Sequence, residues 1–208
     1  MVAGAFFTYG LPERLQCRLL FMQYLSLMLV VLGGFVGGRA LLARKLAEEL
    51  HFYYCDINAY KMHTHDIGRD GHVRSKTQEP QGDEARLFLY RRVIGDFQLL
   101  AKMHTDVVVD SSFHRAGPRE YFLREAEKYF KPVVFVWVEA SEDDSLGFLR
   151  RMEKKGVIDV KEGLARREQA KENFQPFPEP PLTFVHSIAD TDSVGRLSSL
   201  IREYTEMK

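Results

Sequence analysis

The chain has 208 residues, enough for one domain with a substantial core and short for two. Hydrophobic residues make up 45% and charged residues 28%, which excludes disorder, collagen or coiled coil as a description of the whole. Lys plus Arg, at 29, balance Asp plus Glu, at 29, so the global charge points to neither nucleic acid nor an anionic membrane. Cys17 and Cys55 are the only cysteines, which excludes a disulfide framework and leads us to expect a reducing, cytoplasmic setting.

Residues 1–27 fit none of the elements that follow and read as an N-terminal extension to a domain spanning 28–208. Loose chain, an amphipathic anchor and translation from an upstream start codon are all open for it. Met1 to Tyr9 lacks the positive residue of a secretory signal. Leu19 to Gly38 carries no charge over twenty residues, the length of a membrane span, so a membrane-anchored protein is one alternative.

The competing reading divides that stretch. Met28 to Leu32 is a short apolar run ending in glycines, which suits a strand buried on both faces. Leu41, Leu42, Leu46 and Leu50 then recur at helical spacing, with Arg44, Lys45, Glu48 and Glu49 opposite. The rhythm repeats. Phe52 to Cys55 reads as a second strand closed by Asp56, and Asp83 to Met103 as a long amphipathic helix. Val107 to Val109 reads as a third strand closed by Asp110, and Pro118 to Phe130 as a helix with proline near its start. Val133 to Val138 reads as a fourth strand, with Trp137 in the core. Glu142 to Lys155 and Lys161 to Phe174 read as helices, Phe184 to Ile188 as a fifth strand and Ser193 to Met207 as a closing helix. Lys61 to Gly82 is polar and rich in turn formers, and reads as a long loop. Phe174 to Pro181 is a proline-rich connector. Strands of this length alternating with helices predict an α/β fold: a parallel five-stranded sheet with helices on both faces. Ligands bind beyond the carboxyl ends of such strands, so the chemistry is expected at Gly33 to Ala40, at Asp56, and at Asp110 to Arg115.

Gly33-Gly34-Phe35-Val36-Gly37-Gly38-Arg39-Ala40 has the spacing of a phosphate-binding loop between a strand and a helix. Such a loop places a lysine on the outer phosphates and a hydroxyl on magnesium. Here those positions hold Arg39 and Ala40. Arginine keeps the charge on a larger planar fork, and alanine cannot ligate a metal. The bland alternative is that the glycines only pack a strand against a helix.

Met28 to Leu50, MLVVLGGFVGGRALLARKLAEEL, resembles the opening of small P-loop kinases, the gluconate-kinase, chloramphenicol-phosphotransferase and zeta-toxin relatives among AAA-family ATPases. Asp106 to His114, Val133 to Arg151 and Phe174 to Pro181 resemble later parts in the same order. The resemblance implies the P-loop NTPase fold with a small helical lid at about 150–175. It also implies ATP, Mg2+ and phosphoryl transfer to a small-molecule hydroxyl. By that likeness Gly33, Gly34, Phe35, Val36, Gly37, Gly38, Arg39, Ala40 and Leu41 hold the nucleotide. Asp110 holds the metal, Asp56 orients or deprotonates the acceptor, and Arg151 and Arg167 are lid arginines for the transferred phosphate. Ala40 argues against a normal magnesium site, so ATP binding that depends little on magnesium is expected. A non-catalytic nucleotide-binding module is the alternative from another class. Asp56 also reads as a turn cap, Asp110 as a loop cap, and the arginines near 150 and 166 as a solvated helix face. His63, His65, Asp66, Asp70 and His72 read as a polar substrate-facing loop rather than a zinc site. His114 and Arg115 are placed to contact substrate or phosphate. Arg91 and Arg92 read either as ligands of an anionic acceptor or as solvated surface. Cys55 alternates away from Asp56 and reads as core.

Overall fold

The computed structural model describes residues 27–35, 37–57, 60, 66–67, 73–74, 82–187 and 190–207. Along the chain lie β1 (Leu29–Gly33), α1 (Arg39–Leu50), β2 (Tyr53–Asp56), β3 (Asp66–Ile67), β4 (Val73–Arg74) and α2 (Gly82–Lys102). They are followed by β5 (Val107–Asp110), α3 (Ala116–Ala126), β6 (Val133–Glu139), α4 (Glu142–Lys154), α5 (Val160–Glu172), β7 (Leu182–Val185) and α6 (Ser193–Glu206).

β2, β5, β1, β6 and β7 form, in that spatial order, one five-stranded sheet in which every pairing is parallel. β1 and the valines of β5 are apolar and buried because both faces of the sheet are covered at its centre. Leu29 and Val31 of β1, with Val107 and Val109 of β5, face Tyr90, Val93 and Phe97 of α2 and Phe122 of α3. The alternate residues Val30, Leu32 and Val108 face Leu42, Leu46 and Ala47 of α1 and Leu197 and Ile201 of α6. The period-2 alternation of each strand thus feeds two cores. Cys55 is buried in the first of them.

Several boundaries move from the sequence expectation. α3 begins at Ala116 and ends at Ala126, because the amides of Tyr129 and Phe130 both turn back to the Ala126 carbonyl. β7 lies earlier than expected, at Leu182–Val185, since its register on β6 runs from Val136↔Leu182 to Glu139↔Val185. The stretch read as one long loop contains a short antiparallel ladder, Asp66–Ile67 against Val73–Arg74. Leu19 to Gly38 is not a membrane-spanning helix, because Leu29–Gly33 is a fully buried strand in the middle of the sheet. Among the described residues no helix is long and apolar enough to cross a membrane. The extension before residue 27 lies outside the described residues, as do Val36, His63, His65, Asp70, His72 and the side chain of Asp66.

The register sets out the site. Asp56 lies opposite Asp110, and Asp110 lies opposite Leu32, one residue before the glycine loop. Both carboxylates and the loop therefore share the carboxyl edge of the sheet.

Candidate phosphate-binding site

The glycines are required by close packing as well as by backbone conformation. At Gly34, φ is +133°, and a Cβ there would stand 2.2 Å from the Val138 carbonyl oxygen of β6. A Cβ on Gly37 would stand 2.5 Å from the Phe148 ring of α4. Gly38 adopts the left-handed conformation, φ 90°, immediately before α1, and no side chain caps that helix. The first-turn amides of α1 are thus left for a ligand, and the helix dipole favours an anion there.

Arg39, at the position where such loops place lysine, bends back across the loop. Its Nε donates to Asp110 Oδ2 at 3.1 Å, and its Nη1 donates to the Gly34 carbonyl. The other Asp110 oxygen, Oδ1, accepts from Tyr54 Oη at 2.6 Å. Asp110 is fully buried, and the Arg39 side chain retains 13% exposure. Burial and the adjoining Asp110 carboxylate push the Tyr54 hydroxyl well above its ordinary pKa, so it stays a donor. Asp56, half-buried, stands beside this group at the end of β2.

This arrangement does not fit a magnesium ion coordinated as in an intact loop. Ala40 offers no side-chain oxygen, and both Asp110 oxygens are held by Arg39 and Tyr54. Among the described residues no group of three or more His, Cys, Asp or Glu side chains is arranged to hold a metal ion.

Among the described residues two cavities border the loop and a third lies in the neighbouring cleft. One of about 250 Å³ lies between the loop and α5, lined by Gly34, Gly37, Arg39, Arg166 and Arg167. Arg167 Nε is buried there without a hydrogen-bond partner among the described residues. A second cavity, of about 200 Å³, lies on the far side of Phe148, lined by Gly38, Leu41, Lys45, His186 and Thr191. Burial lowers the pKa of His186, whose Nδ1 lies 3.2 Å from Ser193 Oγ. The third and largest, of about 520 Å³, runs between the start of α2 and α5 and includes Asp83, Arg86, His114, Arg115 and Arg166. His114 is held neutral: burial, then the charges of Arg86 and Arg115, lower its pKa to about 4. Arg151 lines none of the three and is exposed on α4. Arg91 and Arg92 are likewise exposed on α2.

Sequence reasoning missed the residues that join the exit of α5 to the loop. Phe35 packs against Trp137 (ring centroids 5.3 Å apart) and Phe174 (5.7 Å), so the loop touches the exit of α5. Arg119, only 1% exposed, donates to the carbonyls of Phe113, Gln175 and Pro176. Its guanidinium lies 4.0 Å from the Phe177 ring centroid. Gln175 N donates to the His114 carbonyl at 2.8 Å. The two phenylalanines of the connector, Phe174 and Phe177, were the available signal.

Solved structures of similar fold include three kinases. The Mycobacterium tuberculosis APS kinase CysC, solved in complex with AMPPNP and APS, is 16% identical with a TM-score of 0.57, over 85% of this chain and 98% of that one. A gluconokinase from Sinorhizobium meliloti 1021 is 16% identical with a TM-score of 0.52, over 85% and 96%. A sugar kinase from Janibacter sp. HTCC2649 is 12% identical with a TM-score of 0.54, over 87% and 97%. The fold is that of the P-loop kinases. At these identities the likeness is one of fold. No family model and no curated protein matches the sequence.

Proposed function

We propose that the protein binds ATP in a P-loop kinase-like site whose metal-binding half has been lost, either as an impaired phosphotransferase acting on a small-molecule hydroxyl or as a non-catalytic nucleotide-binding module. The observation that carries this reading is the position of Arg39. It sits at the uncapped start of α1, beside a cavity lined by two further arginines, yet its charge is engaged by Asp110. A triphosphate would sit at the uncapped start of α1, beside the cavity that Arg39, Arg166 and Arg167 line. Gly33, Gly34, Phe35, Gly37, Gly38 and Arg39 would hold its phosphates, with Ala40 and Leu41 supplying first-turn backbone. Val36 is part of the same expectation. The chemistry that ATP supplies is a transferable phosphoryl group. For that transfer Asp56, at the sheet edge, would accept a proton from an acceptor hydroxyl, and Arg167, which lines the cavity, would meet the charge that develops on the phosphoryl oxygens. Arg151 would take part only if α4 moved. That a kinase of this fold has been solved with AMPPNP supports the nucleotide assignment.

Asp110 serves here as the anchor of Arg39 rather than as a metal ligand, so ATP binding should depend little on magnesium. Calorimetric titration with ATP, with and without magnesium, tests this on the native chain and on the double variant R39K/A40S. Magnesium dependence and turnover are expected only in the double variant. Tight, magnesium-dependent binding by the native chain would show that another residue supplies the ligand. No binding by either form would leave the glycines with packing alone.

A further inference from the structure

We infer that the cleft between α2 and α5 is an oxyanion site, and that the acceptor it takes carries a carboxylate, sulfate or phosphate group held by Arg86. The word acceptor rests on the phosphotransfer reading; the anion site rests on the geometry alone. Among the described residues three guanidinium groups, from Arg86, Arg115 and Arg166, border this cavity of about 520 Å³, against one carboxylate, that of Asp83.

The arginines are not equivalent. Arg115 is committed to Asp83, with Nε–Oδ1 at 2.8 Å and Nη2–Oδ2 at 3.4 Å. Arg166 pairs with Glu162 one turn before it on α5. Arg86 has no carboxylate partner among the described residues; its Nη1 donates to the neutral Ser112 Oγ at 3.1 Å. Ser112 Oγ is in turn 2.9 Å from His114 Nδ1. A half-buried guanidinium facing a cavity, with a neutral hydroxyl as its partner, has donors and charge left for a ligand. The suppressed basicity of His114 reports the same field: after burial, the nearest causes are Arg86 and Arg115. An imidazole that stays neutral leaves the excess positive charge on the arginines and can itself hydrogen-bond a ligand hydroxyl. Ser112 also places the cleft beside the glycine loop, since Gly34 N donates to its carbonyl at 3.2 Å. A molecule held at Arg86 thus lies next to the site proposed for the phosphates, as an acceptor must.

The test is a titration of the full-length, nitrogen-15-labelled chain with sodium sulfate, and separately with sodium acetate, at ionic strength matched with chloride. Amide resonances are followed by NMR. Saturable shifts centred on Ser112, His114 and Arg115 are expected. Arg86→Gln should weaken the anion by roughly tenfold to a hundredfold, the usual value of a charge-assisted hydrogen bond. Arg86→Lys, which keeps the charge and the fold, should remain within about tenfold of the native chain. The tighter of the two probes identifies the acceptor group as tetrahedral or carboxylate. Shifts confined to Gly34, Gly37 and Gly38, an unchanged affinity in Arg86→Gln, or no saturable shift with either probe would each overturn the inference. ATP added to the same sample reports on the loop resonances. If they fail to move, the nucleotide reading falls, while the sulfate and acetate result still decides the cleft.

Discussion

Arg39 and Asp110 are 71 residues apart in the chain and form the ion pair that ties the glycine loop to β5. Arg39→Met leaves the fully buried Asp110 carboxylate with Tyr54 as its remaining hydrogen-bond donor. Removing one partner of a buried pair costs about 3–5 kcal/mol. The 13% exposure of Arg39 and the adjoining cavity admit water to the vacated space, which puts the loss near the low end, about 3 kcal/mol. Asp110→Asn keeps the volume and one acceptor oxygen but leaves the guanidinium with the Gly34 carbonyl, for about 2 kcal/mol. The double variant contains neither uncompensated charge. It should therefore lose about 3 kcal/mol rather than about 5, a coupling of roughly 2 kcal/mol. Urea unfolding followed by circular dichroism gives these values, provided the denaturant slope stays constant across the four proteins. Additivity within about 0.5 kcal/mol, or a loss below about 1 kcal/mol in Arg39→Met, would refute the assignment of a coupled buried pair. Under the proposed function Asp110→Asn also frees Arg39 for phosphate, so ATP should bind more tightly to this less stable variant.

Gly34→Ala forces a side chain into a backbone at φ +133° and against a carbonyl oxygen 2.2 Å away, and should cost at least about 3 kcal/mol, or roughly 10 °C in the thermal midpoint; a fall of less than about 5 °C would count against the packing described. His114 is held neutral to about 4 against an ordinary 6.5, so between those values the unfolded chain binds the proton that the folded chain refuses. The stability this contributes is complete above about pH 6.5 and is lost as the pH falls toward 4, with a slope of at most about 1.4 kcal/mol per pH unit. Stability measured from pH 7 to pH 5 should fall less steeply in His114→Gln, and equal slopes would show that His114 is not the titrating group. His186 shifts in the same direction but is present in both proteins and cancels.

The strands were legible because a parallel sheet covered on both faces needs uninterrupted apolar runs, and Leu29–Gly33 and Val107–Asp110 are such runs. Their spatial order was not, since no local pattern says that β5 rather than β2 lies beside β1. The β3–β4 ladder, two residues to a strand, is too short to carry a period. The same rule put Asp56 and Asp110 at one edge with the glycines. It could not show that Asp110 would take Arg39 as its partner, because that choice is made by three-dimensional proximity across the sheet edge. For arginines on amphipathic helices, such as Arg91, Arg92, Arg151 and Arg167, the sequence leaves an anion-binding role and a solvated surface both open. Arg91 and Arg92 are solvated, while Arg86, on the same helix, turns into the cleft. Arg119 inverts the usual expectation altogether. An arginine without a carboxylate partner is buried because three backbone carbonyls and an aromatic face satisfy it.

That inversion bears on how the glycine loop is joined to α5. Chain leaving α5 passes Asn173, Phe174 and Gln175, and each is tied to a different part of the site. Arg115 Nη1 donates to Asn173 Oδ1 at 3.4 Å, Phe174 packs on Phe35 of the glycine loop, and the amide of Ala116 donates to Gln175 Oε1 at 2.6 Å. Arg119 secures the next two carbonyls from below. The exit of α5 is therefore fixed to the loop after β5, while α5 beyond it rests mainly on α4, with Leu149 against Gly163, where a Cβ would stand 2.5 Å from that leucine. α5 places Arg166 on both cavities, in front of Arg39 and Arg86, and Arg167 on the one in front of Arg39.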